Sequence, residues 1–358
     1  MNILLLKSET DKRIALTPSD IKKLSSQHKC FVKSNLGSEI GFSDEMFQES
    51  GAEILKTEHD FLNKVKTADI FISTKIIGDE SIIKNAKKGS LFITHVNQFL
   101  NSELVAKYQK NNLSIFAMEK IPRITRTQNM DILSSQSNIA GYKSVLVALQ
   151  EYQRACPMMT TAAGTVKPAR FLIIGAGVAG LQAIATAKRL GGIVYVFDVR
   201  SAAKEQVESL GGNFVEVKTN ENLETDGGYA KETSQEYKEA QQALLREQVK
   251  LADIIITTAN IPSKKAPILI TEEMIKTMKQ GSIIVDLAAE MGGNTELTEN
   301  NKTIQKYNAT IIGNSNLASE VAETSSNLFS KNIYNLLNHI IKNNTLDKSD
   351  TELNVCYL

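Results

Sequence analysis

With 358 residues, 42% of them apolar and 23% charged, the chain has an ordinary globular composition and enough length for two cores. A formal net charge of +1 and the lack of any basic run argue against a nucleic-acid surface. Cys30, Cys156 and Cys356 are widely spaced and form no C-x-x-C pair. That fits a reducing compartment with incidental thiols and excludes a disulfide framework or a zinc site, so no metal is expected.

The opening MNILLLKSETDKR has too short an apolar run for a signal peptide and reads as a first strand. No stretch reaches the roughly eighteen apolar residues a bilayer span needs. The chain is expected in the cytosol, or against a membrane only through a partner. Short β-type runs then alternate with helical patterns: strands at Ile3–Leu6, Cys30–Val32, Ile70–Ser73, Leu91–Thr94 and Leu113–Ala117, with helices such as Pro18–Leu24 and Leu104–Gln109 between them. Thr17 as N-cap, Pro18 at the first helical position and Asp20 in the first turn mark the start of the first helix. Such alternation predicts a parallel sheet covered by helices on both faces.

Asn138–Arg154 carries helical periodicity, and a second strand–helix unit begins at Phe171. The fold class expected is α/β, with two Rossmann-like doubly wound parallel-sheet domains separated by a cleft. The first would cover residues 1–137 and the second residues 138–321, with a C-terminal helix at about 322–358 completing the first. Within that closing segment Ser326–Ile341 is amphipathic, and the polar tail Asn343–Leu358 reads as frayed.

The densest signal is FLIIGAGVAGLQAIATAKRLGGIVYVFDVR, Phe171–Arg200. The strand Phe171–Ile174 runs into Gly175, Gly177 and Gly180 at G-x-G-x-x-G spacing, then a helix, then the strand Ile193–Phe197 ending at Asp198. Gly175 permits the turn, Gly177 admits a pyrophosphate to the backbone, and Gly180 lets helix and sheet approach. The free N–H groups at the helix start meet phosphates. Asp198 can accept from both adenosine ribose hydroxyls and would repel a 2′-phosphate, so NAD(H) is expected rather than NADP(H). The unit continues through Ala203–Leu210, Phe214–Val217, Asp253–Thr257, Glu272–Met278, Ser282–Asp286 and Thr310–Ile312. Thr219–Gln242 interrupts it with a polar insertion holding Gly227-Gly228 and Tyr229, open to reading as a surface loop or a mobile lid.

RITRTQNMDILSSQSNIAGY (Arg123–Tyr142), PMMTTAAGTVKPAR (Pro157–Arg170), the glycine unit, AAKEQVESLGG (Ala202–Gly212), GGYAKE (Gly227–Glu232) and IVDLAAEMGGN (Ile284–Asn294) lie along nearly the whole chain. Together they resemble the NAD(H)-binding α subunit of proton-translocating NAD(P)+ transhydrogenase, in its split, soluble α-1 form. The resemblance implies Si-face hydride transfer between NADH bound here and NADP+ on a partner β subunit. It also implies a separate membrane-spanning α-2 subunit that moves protons, a homodimer, and attachment at the cytoplasmic face of the inner membrane only through those partners. The chain ends before any membrane helix, as in a split α subunit or a chain cut at a domain border.

Residue by residue, Gly175, Gly177, Asp198 and Arg200 match positions at the pyrophosphate and adenosine, with Val178, Gly180, Val199 and Ala259 in the cofactor-binding set. Arg123, Gln128, Asp131 and Ser134 match the group around the nicotinamide and its ribose, and Tyr229 the tyrosine of a closing loop. Read without the resemblance, Asp131 could instead N-cap the following helix and Arg123 could pair with an acid. Asn260-Ile261-Pro262, where the family usually has Leu-Ile-Pro, and Thr233, where a methionine is common, depart from the pattern.

The sister family, alanine dehydrogenase, shares the two-domain fold but not the RITRTQNMD segment or the GGYAKE insertion. As that enzyme, the chain would use Arg13 and Lys75 to clamp a carboxylate and His95 as the proton acceptor. Glu290, where the alanine enzyme has an aspartate, weighs against this. A silent NAD-sensing module ranks last, because the nicotinamide-side residues would be superfluous for sensing.

Overall fold

The computed structural model describes residues 1–217, 235–261 and 264–358. Tyr229, Thr233 and Pro262 lie outside them. The chain divides into two compact units, Met1–Gln136 with Ala318–Leu358, and Ser137–Leu317.

In chain order the first unit holds β1 (Asn2–Leu5), α1 (Pro18–Leu24), β2 (Lys29–Lys33), α2 (Asp44–Glu49), β3 (Ala52–Leu55), α3 (Glu58–Val65), β4 (Ile70–Ile72), α4 (Glu80–Asn85), β5 (Leu91–Thr94), α5 (Ser102–Lys110) and β6 (Ser114–Ala117). The six strands form one parallel sheet in the order β3-β2-β1-β4-β5-β6, the doubly wound arrangement that the strand–helix alternation predicts. Both faces are covered, so β1 reads as continuous apolar sequence. Ile3 and Leu5 join one buried cluster, and Leu4 and Leu6 the other.

α6 (Ile132–Glu151) contains the boundary between the units. The second unit follows with an exposed hairpin, β7 (Met159–Thr161) and β8 (Gly164–Val166), then β9 (Arg170–Ile174), α7 (Val178–Arg189), β10 (Ile193–Phe197), α8 (Ala203–Ser209), β11 (Asn213–Val215), α9 (Gln235–Leu251), β12 (Ile254–Thr257), α10 (Glu272–Lys276), β13 (Ser282–Asp286), β14 (Thr303–Lys306) and β15 (Ala309–Ile312). Its seven-stranded sheet runs β11-β10-β9-β12-β13-β15-β14, parallel except for the edge strand β14.

α11 (Ala322–Ile340) returns the chain to the first unit, where Phe329, Ile333, Leu336, Leu337 and Ile340 pack in the cluster of Ile3 and Leu5. A small hairpin, β16 (Ile341–Lys342) and β17 (Thr345–Leu346), comes next.

Four details depart from the sequence reading. β3 was not expected; it is a four-residue edge strand with little alternation to reveal it. Thr17 sits at the N-cap of α1 without capping it: its hydroxyl donates to Ser330 Oγ, and Asp20 turns inward to Ser330, Lys23 and Lys331. The insertion expected to run as a loop to Gln242 is already helical from Gln235, the start of α9. The tail is ordered rather than frayed. Asn343 and Asn344 both take left-handed backbone (φ 52° and 58°) and close the β16–β17 hairpin, an asparagine-tolerated turn. A 3-10 helix at Thr351–Cys356 then buries Leu353 and Cys356.

Candidate functional site

The glycine turn has the geometry its sequence implies. Gly175 follows β9 with φ +99°, and a Cβ there would lie 2.5 Å from Thr258 Oγ1. A Cβ on Gly180 would fall 1.9 Å from the Gly175 carbonyl oxygen, so helix and turn touch through backbone. Gly177 differs: a Cβ there meets nothing within 4 Å. It is the N-cap of α7 and offers no side chain to the first-turn N–H groups, which begin at Val178.

Asp198, just past β10, is buried and carries four hydrogen bonds. Oδ1 accepts from Arg200 N (2.8 Å) and Nε (2.9 Å), and Oδ2 from Ala176 N (2.6 Å) and Arg200 Nη2 (2.9 Å). Arg200 therefore occupies the lone pairs that the sequence reading gave to ribose. Val199 is half-buried against the cluster of Leu172 and Phe197.

Ala259 is placed by a residue the sequence reading did not assign. Asn294 Oδ1 accepts from the Ala259 N–H at 3.0 Å, while Nδ2 donates to the carbonyls of Ala259 (2.8 Å) and Pro267 (2.9 Å). Asn294 is fully buried, and its own N–H donates to Asp286 Oδ2 at 2.7 Å. No local pattern discloses this, because the partners lie 35 positions apart.

In the first unit, Arg123, Asp131 and Ser134 come together. Ser134 N–H donates to Asp131 Oδ1 (3.0 Å) and its hydroxyl to Oδ2 (2.6 Å), while Arg123 Nε stands 3.8 Å from Oδ2. Asp131 thus caps α6, which begins six residues before the start expected from periodicity. Both alternatives left open by the residues, the cap and the acid partner, are realised. Gln128 lies on the same stretch, in a 3-10 helix at Thr125–Met130, and is exposed.

The other set, Arg13, Lys75 and His95, is arranged differently. Arg13 is buried and turned onto Asp11, with Nε 2.9 Å from Oδ1 and Nη2 2.5 Å from Oδ2, and Nη1 donates to Gln136 Oε1 at 2.6 Å. Burial alone would raise the Asp11 carboxyl, but the Arg13 contacts outweigh it and hold its pKa below the ordinary value. Lys75 and His95 are half-buried past the ends of β4 and β5.

Two alanine dehydrogenase/PNT domain families match the chain, the N-terminal domain over residues 7–140 and the C-terminal domain over residues 144–356. The first portion of the split NAD(P) transhydrogenase subunit alpha of Rickettsia prowazekii is 44% identical over 356 residues, covering 98% of this chain and 92% of that protein. This chain belongs to the transhydrogenase alpha-subunit family. A solved structure of transhydrogenase from Sinorhizobium meliloti matches with a TM-score of 0.83 at 38% identity, over 95% of this chain and 94% of that one. An alanine dehydrogenase of Methanococcus maripaludis is more distant, 26% identical over 88% of this chain and 80% of its own length. The chain is accordingly a transhydrogenase component. No helix among the described residues is long and apolar enough to cross a membrane.

Proposed function

We propose that this chain binds NAD(H) and is the half of a transhydrogenase that exchanges hydride with NADP(H) held on a partner β subunit. In this reading a membrane-spanning α-2 subunit couples the exchange to proton movement. The chain acts as a homodimer at the cytoplasmic face of the inner membrane.

The observation that carries the reading is the assembly of Arg123, Asp131 and Ser134 at the start of α6 in a chain so closely related to transhydrogenase subunits. NADH, when bound, supplies the hydride. The residues of the chain hold and orient it: transfer between two nicotinamides needs alignment and exclusion of water, not a nucleophile.

The open face beside Gly177, at the uncapped start of a twelve-residue helix, fits a pyrophosphate, and the N–H groups from Val178 onward would hold it. Gly175 and Gly180 keep that turn tight, Val199 and Ala259 border it, and Asp198 would take the adenosine ribose in place of the Arg200 guanidinium. Arg123, Gln128, Asp131 and Ser134 would fix the carboxamide and its ribose, with Tyr229 closing over the nucleotide. The alanine dehydrogenase reading asks Arg13 to clamp a substrate, yet its Nε and both terminal nitrogens already donate to Asp11 and Gln136.

Mixing the chain with the isolated NADP(H)-binding domain of a transhydrogenase, NADH and a chromogenic NADP+ analogue tests the proposal. Transfer that requires both proteins supports it. NADH formation from NAD+ and alanine by this chain alone would replace it with amino-acid oxidation.

A further inference from the structure

The stretch Arg123–Asp131 has little regular backbone bonding of its own beyond a short 3-10 helix. It is held from behind at three places. Thr127 is buried, and its hydroxyl donates to the carbonyls of Pro122 and Ile124, while Met130 enters the apolar cluster below it. The Asn129 carbonyl accepts from Asn332 Nδ2 at 2.8 Å and Asn335 Nδ2 at 2.9 Å, both on α11. Arg126, whose side chain is 49% exposed, reaches the C-terminal tail: its Nη2 lies 2.8 Å from Asp350 Oδ1 and 2.9 Å from Glu352 Oε2.

The tail is a firm anchor. The N–H of Leu358 donates to the Ile115 carbonyl (2.9 Å) and that of Ile115 to the Leu358 carbonyl (3.3 Å). Tyr357 meets Phe116 edge-on, with ring centroids 5.0 Å apart. Asp350 starts the terminal 3-10 helix by accepting from Glu352 N, and its Oδ2 lies 2.9 Å from His339 Nε2. The carboxylate therefore has three partners from three elements.

We infer that the C-terminal tail, through Asp350 and Glu352, is a positioning element for the stretch bearing Gln128 and Asp131, with Arg126 as the positioning residue on that stretch. The inference rests on the function proposed above. An isolated exposed ion pair contributes little to stability. Displacing a substrate-holding group by about 1 Å, by contrast, can cost on the order of a hundredfold in rate. The signature of the tie is thus a loss of rate with little loss of stability.

The test uses the full chain as Arg126→Met, as Asp350→Asn with Glu352→Gln, and as all three together. Lys342→Met, which breaks the Lys342–Asp347 pair of the neighbouring hairpin, is the control. Hydride transfer is followed with the isolated NADP(H)-binding domain, and amide hydrogen exchange over residues 123–131 is read in parallel. Transfer at saturating NADH should fall about fivefold in either variant, with KM changed by less than about twofold. The combined variant should be no slower than the worse of the two, because both cut the same tie. Arg126→Lys should recover some of the rate, and the control should match wild type.

Unchanged rates, losses that multiply in the combined variant, or exchange over 123–131 identical to wild type would each overturn the inference. If wild type itself transfers no hydride, the proposed function fails, and the exchange data still decide whether the tail holds the stretch.

Discussion

Asp131 and Ser134 close on each other at the first turn of α6, with the serine N–H on Oδ1 at 3.0 Å and its hydroxyl on Oδ2 at 2.6 Å. One carboxylate therefore both starts a twenty-residue helix and presents the polar group proposed to hold the nicotinamide end. Asp131→Asn separates the two roles, since asparagine caps a helix about as well as aspartate. Stability should change by less than about 1 kcal/mol, while hydride transfer drops more than about tenfold and NADH affinity falls only modestly. Melting curves and stopped-flow transfer check this together; full-rate transfer would remove Asp131 from the site.

Gly177 and Gly180 should behave oppositely. Gly177→Ala places a methyl group in open space, at a φ of −76° that alanine accepts, so folding should be unaffected. Its NADH dissociation constant should rise by about tenfold or more, because the methyl group fills the pyrophosphate position. Gly180→Ala forces a Cβ onto the Gly175 carbonyl and should cost about 3 kcal/mol of stability. Denaturant melts and NADH fluorescence titrations distinguish the two.

The grip of Arg200 on Asp198 bears on cofactor choice. Asp198→Ala removes the repulsion of a 2′-phosphate and also frees the Arg200 guanidinium to meet one. NADPH affinity should approach that of NADH. The Ala176 N–H loses its acceptor, at a cost of about 1–3 kcal/mol in stability. Titrating both reduced cofactors against wild type and variant decides it; equal affinities in the wild type would contradict the role given to Asp198.

Asp20 makes stability sensitive to acid. Burial alone would raise its pKa, but Lys23, Lys331 and Ser330 outweigh that and hold it below the ordinary 3.8. A lowered folded-state pKa means the contribution is fully present above that ordinary value and is lost as pH falls through the folded one. Asp11, held down by Arg13, acts in the same window. Below about pH 4 the chain should lose stability steeply, and Asp20→Asn should flatten the slope while lowering stability at neutral pH. Urea midpoints measured from pH 6 to pH 2 show it.

Much of the site was legible locally, because its informative residues are close in sequence. The three glycines and Asp198 sit in one strand–turn–helix–strand unit, where backbone sterics demand those residue types at those spacings. Gln128, Asp131 and Ser134 share one turn and the helix start after it, so spacing alone placed Asp131 and Ser134 side by side. What escaped was non-local. Asn294 reaches Ala259 across the sheet ends, and Asp350 reaches Arg126 across 224 positions. Neither pair leaves a periodic trace.

The sequence by itself therefore determined the two parallel-sheet units, the dinucleotide-type turn and the residues offered for the nicotinamide, since alternation, glycine spacing and capping act within a few residues of each other. The tertiary structure alone decided which polar groups those residues satisfy: Arg200 on Asp198, Asp11 on Arg13, Asn294 on Ala259, and a polar tail held on β6. A buried hydrogen-bonding group must find a partner wherever the fold brings one, and that partner is chosen by proximity in space, not in the chain.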